Sequence, residues 1–90
     1  MVWKLRYSSS ARHSLKKMPR ETAFMLLSKL KALSEEDDPR LYLKELKGFE
    51  NPHFYSLRAG QYRAVMTVLD DLLIIHVVEA GHRSSVYRKF

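Results

Sequence analysis

Three arginines and a tyrosine in the last third of the chain are the side chains best suited to phosphate chemistry: Arg58, Arg63, Arg83 and Tyr87. Guanidinium groups are permanent cations, and their planar forks match the oxygens of a phosphate. A tyrosine hydroxyl can donate or accept a hydrogen bond beside them. Several such cations on one small domain predict a site for a polyanion.

Alternation along two predicted strands places Arg58 and Arg63 on the same side of a sheet. Arg58 lies in the predicted strand 53–59 and Arg63 in the predicted strand 62–69. In both strands the arginine is on the face opposite to the more apolar face. If both apolar faces meet the helices, the two arginines emerge together on the exposed side. Arg83, in a loop beyond the next strand, is close enough to reach that side as well.

Hydrophobic periodicity predicts one strand and two helices before these strands. Residues 2–7 alternate like a half-buried strand, and the serines at 8–10 suit the N-cap of a short helix. Pro19 is well placed to open a second helix. That helix carries an apolar stripe formed by Ala23, Leu26, Leu27, Leu30 and Leu33. The acidic residues 35–38 and Pro39 end it, because carboxylates are unfavourable at a helix C-terminus.

The remaining pattern completes an α+β fold. Residues 41–49 fit either a short edge strand or an extended link, and strands follow at 53–59, 62–69 and 72–79. The last of these is apolar on both sides, which is typical of a central strand. The order predicts a two-helix hairpin packed on one face of a mostly antiparallel four-stranded sheet (β-α-α-β-β-β). We expect one domain over residues 1–90, with the opposite face of the sheet free for function.

Composition indicates an anionic partner and a reducing environment. The formal charge is +6, and without the four acids at 35–38 the balance of 16 basic against 6 acidic residues gives +10. Such a field favours nucleic acid, an anionic membrane surface or an acidic protein. Cysteine is absent, and no apolar run approaches the roughly 18 residues that span a membrane. We therefore expect a cytoplasmic protein that does not enter a membrane.

Histidine is the other residue type with chemistry near neutral pH. The four histidines are scattered along the chain and include no pair at HxxxH spacing: His13, His53, His76 and His82. The sequence therefore predicts neither a metal site nor a cofactor.

The order of motifs in the second half resembles the RelE/ParE toxin superfamily, and its RelE-like mRNA interferases in particular. The matching segments are Tyr55-Ser56-Leu57, Gly60, Tyr62-Arg63, Asp70-Asp71, the apolar residues 72–78, Gly81-His82-Arg83 and Tyr87. Leu46-Lys47-Gly48 also looks like the link that precedes the second strand of that family. The resemblance covers nearly the whole chain and implies a RelE-like fold.

The resemblance implies a toxin of a type II toxin–antitoxin system that cleaves mRNA in the ribosomal A site. The 2′-hydroxyl of the RNA attacks the adjacent phosphate, and the reaction needs no metal. By this resemblance Arg63 and Arg83 would stabilise charge on the phosphorane, while Tyr87 would position a base or assist proton transfer. The remaining expected RNA contacts are Arg58, Lys44, Lys47 and Arg88. Expected partners are a RelB-like antitoxin, 16S rRNA and A-site mRNA, and the antitoxin complex would bind operator DNA through the antitoxin.

One departure from the family leaves the general base open. Active relatives often carry lysines on the strand before the tyrosine-arginine pair, whereas this chain has Phe54, Ser56 and Arg58 on that strand face. His82 is the first candidate for a general base or acid, because imidazole titrates near neutrality. The other candidates are His53, Lys44 and Lys47.

Two other functions remain open from the sequence. A ParE-like protein shares the fold and inhibits DNA gyrase without cutting nucleic acid, although Gly81-His82-Arg83 and Tyr87 favour the RelE branch. A catalytically weak member that retains antitoxin binding is the second, because the strand lysines are absent. One scaffold can host all of these activities, so the fold alone does not separate them.

Overall fold

A five-stranded sheet and three helices make up the computed structural model of the chain, which describes residues 2–48 and 52–89. The elements in chain order are β1 (Lys4–Tyr7), α1 (Ser9–Lys17), α2 (Arg20–Ser34), β2 (Lys44–Glu45), β3 (Tyr55–Ala59), β4 (Tyr62–Leu69), β5 (Ile74–His82) and α3 (Arg83–Lys89). Short 3-10 turns at Pro39–Tyr42 and Asp70–Leu72 complete the described part.

The sheet has the order β1-β5-β4-β3-β2, with β1 parallel to β5 and every other pair antiparallel. This confirms the α+β fold and the four expected strands. The two-residue strand β2 is a fifth strand at the edge of the sheet. Residues 41–48 therefore include a short edge strand, which is one of the two alternatives that the sequence left open. Phe49 lies outside the described part. β5 lies between β1 and β4, which confirms that it is a central strand, and its residues alternate between buried and half-buried from Ile74 to Val78.

The α1–α2 hairpin covers one face of the sheet. Ser8 caps α1 as expected, since its side chain accepts a hydrogen bond from the Ala11 amide. Leu26, Leu30 and Leu33 of α2 are buried in the core, but the prediction for Leu27 is wrong because its side chain is 41% exposed. Leu27 lies about 100° around the helix from Leu26, at the border of the apolar stripe.

The third helix corrects the expectation that the other face of the sheet is free. β5 continues to His82 by pairing with the start of β4, so His82 is a strand residue and Arg83 begins a helix. Gly81 is on the face of β5 opposite to the core residue Ala80. A Cβ on Gly81 would lie 3.5 Å from Val86 Cγ2 of α3. Helix α3 therefore packs on the outer face beside the end of β5.

Acidic side chains gather at the end of the molecule where α2 terminates. Arg40 forms ion pairs with Asp38 at 3.2 Å and with Asp70 of the β4–β5 connection. The hydrogen bond from Arg40 lowers the pKa of Asp70 and raises the pKa of the guanidinium itself. No helix in the described ranges is long and apolar enough to cross a membrane.

Candidate functional site

A pair of arginines faces outward at the turn of the β3–β4 hairpin. Arg58 and Arg63 are direct cross-strand partners, one pair away from the turn that Gly60 closes with a φ of +61°. Their neighbours Leu57, Ala59, Tyr62 and Ala64 belong to or pack against the core, so both arginines lie on the opposite side. Like charges directly opposite each other destabilise a sheet. The register therefore places two guanidinium groups side by side on one face of the hairpin.

Ser56 fixes the orientation of one of these arginines. Arg63 Nη1 donates a hydrogen bond to Ser56 Oγ at 3.1 Å. Ser56 is buried with 2% of its surface exposed, and Arg63 is half-buried. A guanidinium held on a buried hydroxyl keeps a defined direction, which is what electrostatic stabilisation of a reacting group requires.

Lys44 joins the same face from the edge strand. In the β2–β3 register Lys44 is the direct partner of Ser56, and directly paired residues project to one side of a sheet. The outer face of β2, β3 and β4 thus carries Lys44, Arg58 and Arg63 around Ser56. Lys44, which the resemblance implies as an RNA contact, therefore lies on the same face as the two arginines. Lys47 is exposed in the turn after β2.

Helix α3 contributes the remaining predicted residues. The backbone N–H of Arg83 donates to Gln61 O at 2.8 Å, which holds the start of α3 against the β3–β4 turn. The side chains of Arg83 and Arg88 are exposed. Tyr87 belongs to this helix, but its side chain lies outside the described part of the structure.

His82 lies on the other side of the sheet from Arg63. It pairs directly with Tyr62, and the two rings meet edge to face with centroids 5.4 Å apart. His82 Nδ1 accepts a hydrogen bond from the Ser84 amide at 3.2 Å and lies 2.9 Å from Ser84 Oγ. The imidazole therefore caps α3 beside Arg83, on the side of the sheet opposite to Arg58 and Arg63.

The other histidines do not complete the arginine face either. His53 Nδ1 lies 3.0 Å from the carboxylate of Glu45, and both side chains are more than half exposed. His76 is half-buried within β5, between β1 and β4. Among residues 2–48 and 52–89, no group of three histidines, cysteines or acids is placed to hold a metal ion.

Sequence reasoning missed Glu79. This carboxylate is 7% exposed, and Ser10 Oγ of α1 lies 2.9 and 3.0 Å from its two oxygens. It lines a cleft of about 260 Å³ between α1 and α3, together with Lys17 and His82. The sequence signal for Glu79 is its place at the end of an apolar strand. A carboxylate that is buried there needs hydrogen-bond or ion-pair partners, so its position indicates a polar contact.

Comparison with known proteins relates the chain to toxins. The sequence pattern described as ParE toxin of type II toxin-antitoxin system, parDE, matches residues 5–87. No curated protein sequence matches the chain.

Solved structures of RelE toxins share the fold. The toxin–antitoxin complex RelBE2 from Mycobacterium tuberculosis matches with a TM-score of 0.78 and 25% identity, over 93% of this chain and 94% of that chain. The archaeal RelE–RelB complex from Pyrococcus horikoshii OT3 gives 0.74 and 21%, over 92% and 97%. An arginine double mutant of E. coli RelE bound to a peptide of the antitoxin RelB gives 0.72 and 26%, over 99% and 94%.

Proposed function

The chain belongs to the ParE toxin family of type II toxin–antitoxin systems, and we propose that it acts as a ribosome-dependent endonuclease that cleaves mRNA in the A site. The observation that carries this proposal is the outer face of β2, β3 and β4, where Arg58 and Arg63 oppose each other beside Lys44 and Ser56. A cationic face with one guanidinium fixed by a buried hydroxyl suits a phosphate that gains charge during a reaction.

The chemistry is an internal transfer within RNA. The 2′-oxygen forms a bond to phosphorus while the bond from phosphorus to the 5′-oxygen of the next nucleotide breaks. The proton of the 2′-hydroxyl passes to a base, and an acid protonates the leaving oxygen, which yields a cyclic phosphate and a 5′-hydroxyl. Arg63 and Arg83 stabilise the charge on the phosphorane, Arg58 and Lys44 hold the RNA, and Tyr87 assists proton transfer.

Mapping mRNA 5′ ends in a translating extract tests this proposal. Removing one electrostatic donor from an active site typically costs on the order of a hundredfold to a thousandfold in rate. We expect Arg63→Ala and Arg83→Ala to lose cleavage to that extent. Arg6→Ala, which removes an exposed arginine of β1, is the matched control and should retain it. Deoxyribose at the cleaved nucleotide should stop the reaction, because it removes the nucleophile.

A gyrase inhibitor is the second candidate, and the match to the ParE pattern is the observation that favours it. Inhibition by binding requires no base for a 2′-hydroxyl, which agrees with the separation of His82 from the arginine face. One experiment distinguishes the endonuclease from the gyrase inhibitor. Growth arrest without new mRNA 5′ ends, accompanied by loss of gyrase supercoiling in vitro, would replace the endonuclease with the inhibitor.

The partner that neutralises the protein is a RelB-like antitoxin. Three apolar side chains of α2 face solvent: Phe24, Met25 and Leu27. Exposed apolar side chains on one helix suit the apolar side of a partner's amphipathic segment, and the net charge of +6 suits acidic residues in it. Co-purification from the native host should therefore recover a small acidic protein. If none is recovered, this partner assignment is wrong.

A further inference from the structure

The exposed large apolar side chains of residues 2–48 and 52–89 form two groups. One group lies on α2 and is the surface assigned above to the antitoxin: Phe24, Met25 and Leu27. The other group lies at the end of the molecule where α2 stops, and its members are between 38% and 77% exposed. This second group, here called the end patch, is Val2, Leu41, Tyr42, Leu69 and Leu72. The proposed function does not use the end patch.

Three contacts gather the end patch, although its members are distant in sequence. The Trp3 amide donates to Ser34 O at 2.7 Å, which holds the start of β1 at the end of α2. The first amide of β1 donates to Leu73 O at 2.8 Å, beside the turn at Asp70–Leu72. The ion pair of Arg40 with that turn brings in the two members that precede β2. An apolar surface gathered in this way marks an interaction site.

Carboxylates border the end patch. Six of the ten acidic residues of the chain lie here, namely those at 35–38 and 70–71, although the net charge is +6. A hydrogen bond to Glu36 raises the pKa of Tyr42, so this phenol lies against the acids. Arg40 joins two of the carboxylates and offsets only part of their charge. Apolar anchors with a negative border disfavour RNA and suit a basic protein surface.

The chain carries a basic surface of this kind itself. Lys16 and Lys17 at the end of α1 and Arg20 at the start of α2 are exposed, and they are here called the basic corner. Among residues 9–34 Glu21 is the only acid, against six lysines and arginines. The end patch adjoins Ser34, the last residue of α2, and a helix of this length separates its first and last residues by about 21 Å. The two surfaces therefore lie at opposite ends of α2.

We propose that the end patch of one copy docks onto the basic corner of a second copy, so that the free protein assembles head to tail. The acids meet the cations, while the hydrocarbon stems of lysine and arginine cover the apolar side chains. The two surfaces differ, so the contact is heterologous and extends beyond a dimer. A small contact with exposed charges is weak and sensitive to salt. This inference does not rest on the proposed function.

Sedimentation velocity of the purified chain without any partner tests the inference. At about 0.05 M salt the average sedimentation coefficient should rise with protein concentration, and at about 0.5 M it should stay at the monomer value. The end variant is Asp71→Asn/Leu72→Ser, and the corner variant is Lys16→Gln/Arg20→Gln. All four side chains are exposed. Each variant should associate about tenfold more weakly than wild type, as expected for the loss of two partly exposed contacts.

Each variant has a control with the same net charge. Glu45→Gln/Leu27→Ser removes one exposed acid and one exposed leucine, as the end variant does. Arg6→Gln/Lys47→Gln removes two exposed cations, as the corner variant does. Both controls should associate like wild type. The corner variant is also informative by itself, because its lower net charge reduces general repulsion and would otherwise strengthen association.

Mixing the two variants tests the head-to-tail arrangement. The end variant keeps an intact basic corner and the corner variant keeps an intact end patch, so an equimolar mixture should form a dimer that neither variant forms alone. Melting curves check the folding of each variant, and Leu72→Ser and Arg20→Gln are the single substitutions that replace a double variant that melts lower. A wild type that stays monomeric at low salt overturns the inference. Variants that associate like their controls, or a mixture that associates no more than its components, overturn it as well.

Discussion

Ser56 and Lys44 show how neighbouring strands can supply charge that one strand lacks. Ser56 lies on the strand face where active relatives often carry lysines. Its hydroxyl accepts a hydrogen bond from Arg63. Its cross-strand partner is Lys44, which returns a lysine to the same row of the sheet. The cationic character of the face is thus kept by an edge strand of only two residues.

Substitutions at Lys44 separate two roles for this amine. If Lys44 acts as a cation that holds the RNA, Lys44→Ala should slow mRNA cleavage about tenfold to a hundredfold and Lys44→Arg should restore most of it. If it is the general base, Lys44→Arg should be as slow as Lys44→Ala, because a guanidinium does not deprotonate in proteins. We expect rescue by arginine, measured as single-turnover cleavage on programmed ribosomes. Lys47→Ala is the control for loss of a nearby charge.

At the scale of elements, α2 offers a matched pair of leucines for testing the packing of the hairpin. Leu30 is fully buried, whereas Leu27 is 41% exposed. Leu30→Ala should lower the free energy of unfolding by about 2–5 kcal/mol, since it leaves a cavity in the core. Leu27→Ala should lower it by less than about 1 kcal/mol. Chemical denaturation measures both, and equal losses would contradict the assignment of the buried face.

Local patterns predicted the elements whose residues alternate or repeat, and missed those that depend on distant partners. The placement of Arg58 and Arg63 followed from period-two alternation alone. Helix α3 did not, because seven residues contain too few apolar positions to show a helical period. The orientation of His82 was also hidden, since it depends on β5 pairing with β4 as far as Tyr62. Leu73 adopts a left-handed φ of 52° that its residue type does not suggest.

At the scale of the whole molecule, charge is distributed unevenly. Arg40 draws Asp38 and Asp70 together at the end where α2 stops, while Arg58 and Arg63 lie beside the β3–β4 turn, at the other end of β4. Uneven charge orients a protein as it approaches a polyanion and raises the association rate, more so at low salt. The acidic end would then face away from a polyanionic partner.

The Arg40 pairs predict how stability responds to acid. Asp70 has a pKa lowered by Arg40, so its stabilising contribution is present above the ordinary aspartate pKa and is lost as the pH falls through the lowered value. Arg40→Gln should therefore lower the melting temperature near neutral pH. At about pH 2 the melting temperatures of wild type and variant should lie closer together. The effect is small because Asp70 is largely exposed. Melting curves at both pH values check this, and a difference that stays constant between them would refute it.

The parallel pairing of β1 with β5 bears on when the sheet can form during synthesis of the chain. The first strand needs residues 74–77 as partners, and α1 is tied to β5 through Ser8 and Ser10. A ribosome delivers the N-terminus first, and contacts between distant parts of a chain form late. The sheet of the nascent chain therefore stays incomplete until residues 74–82 have emerged from the ribosome. The order of synthesis thus makes β5, the strand that joins both halves of the sheet, the last one available for pairing.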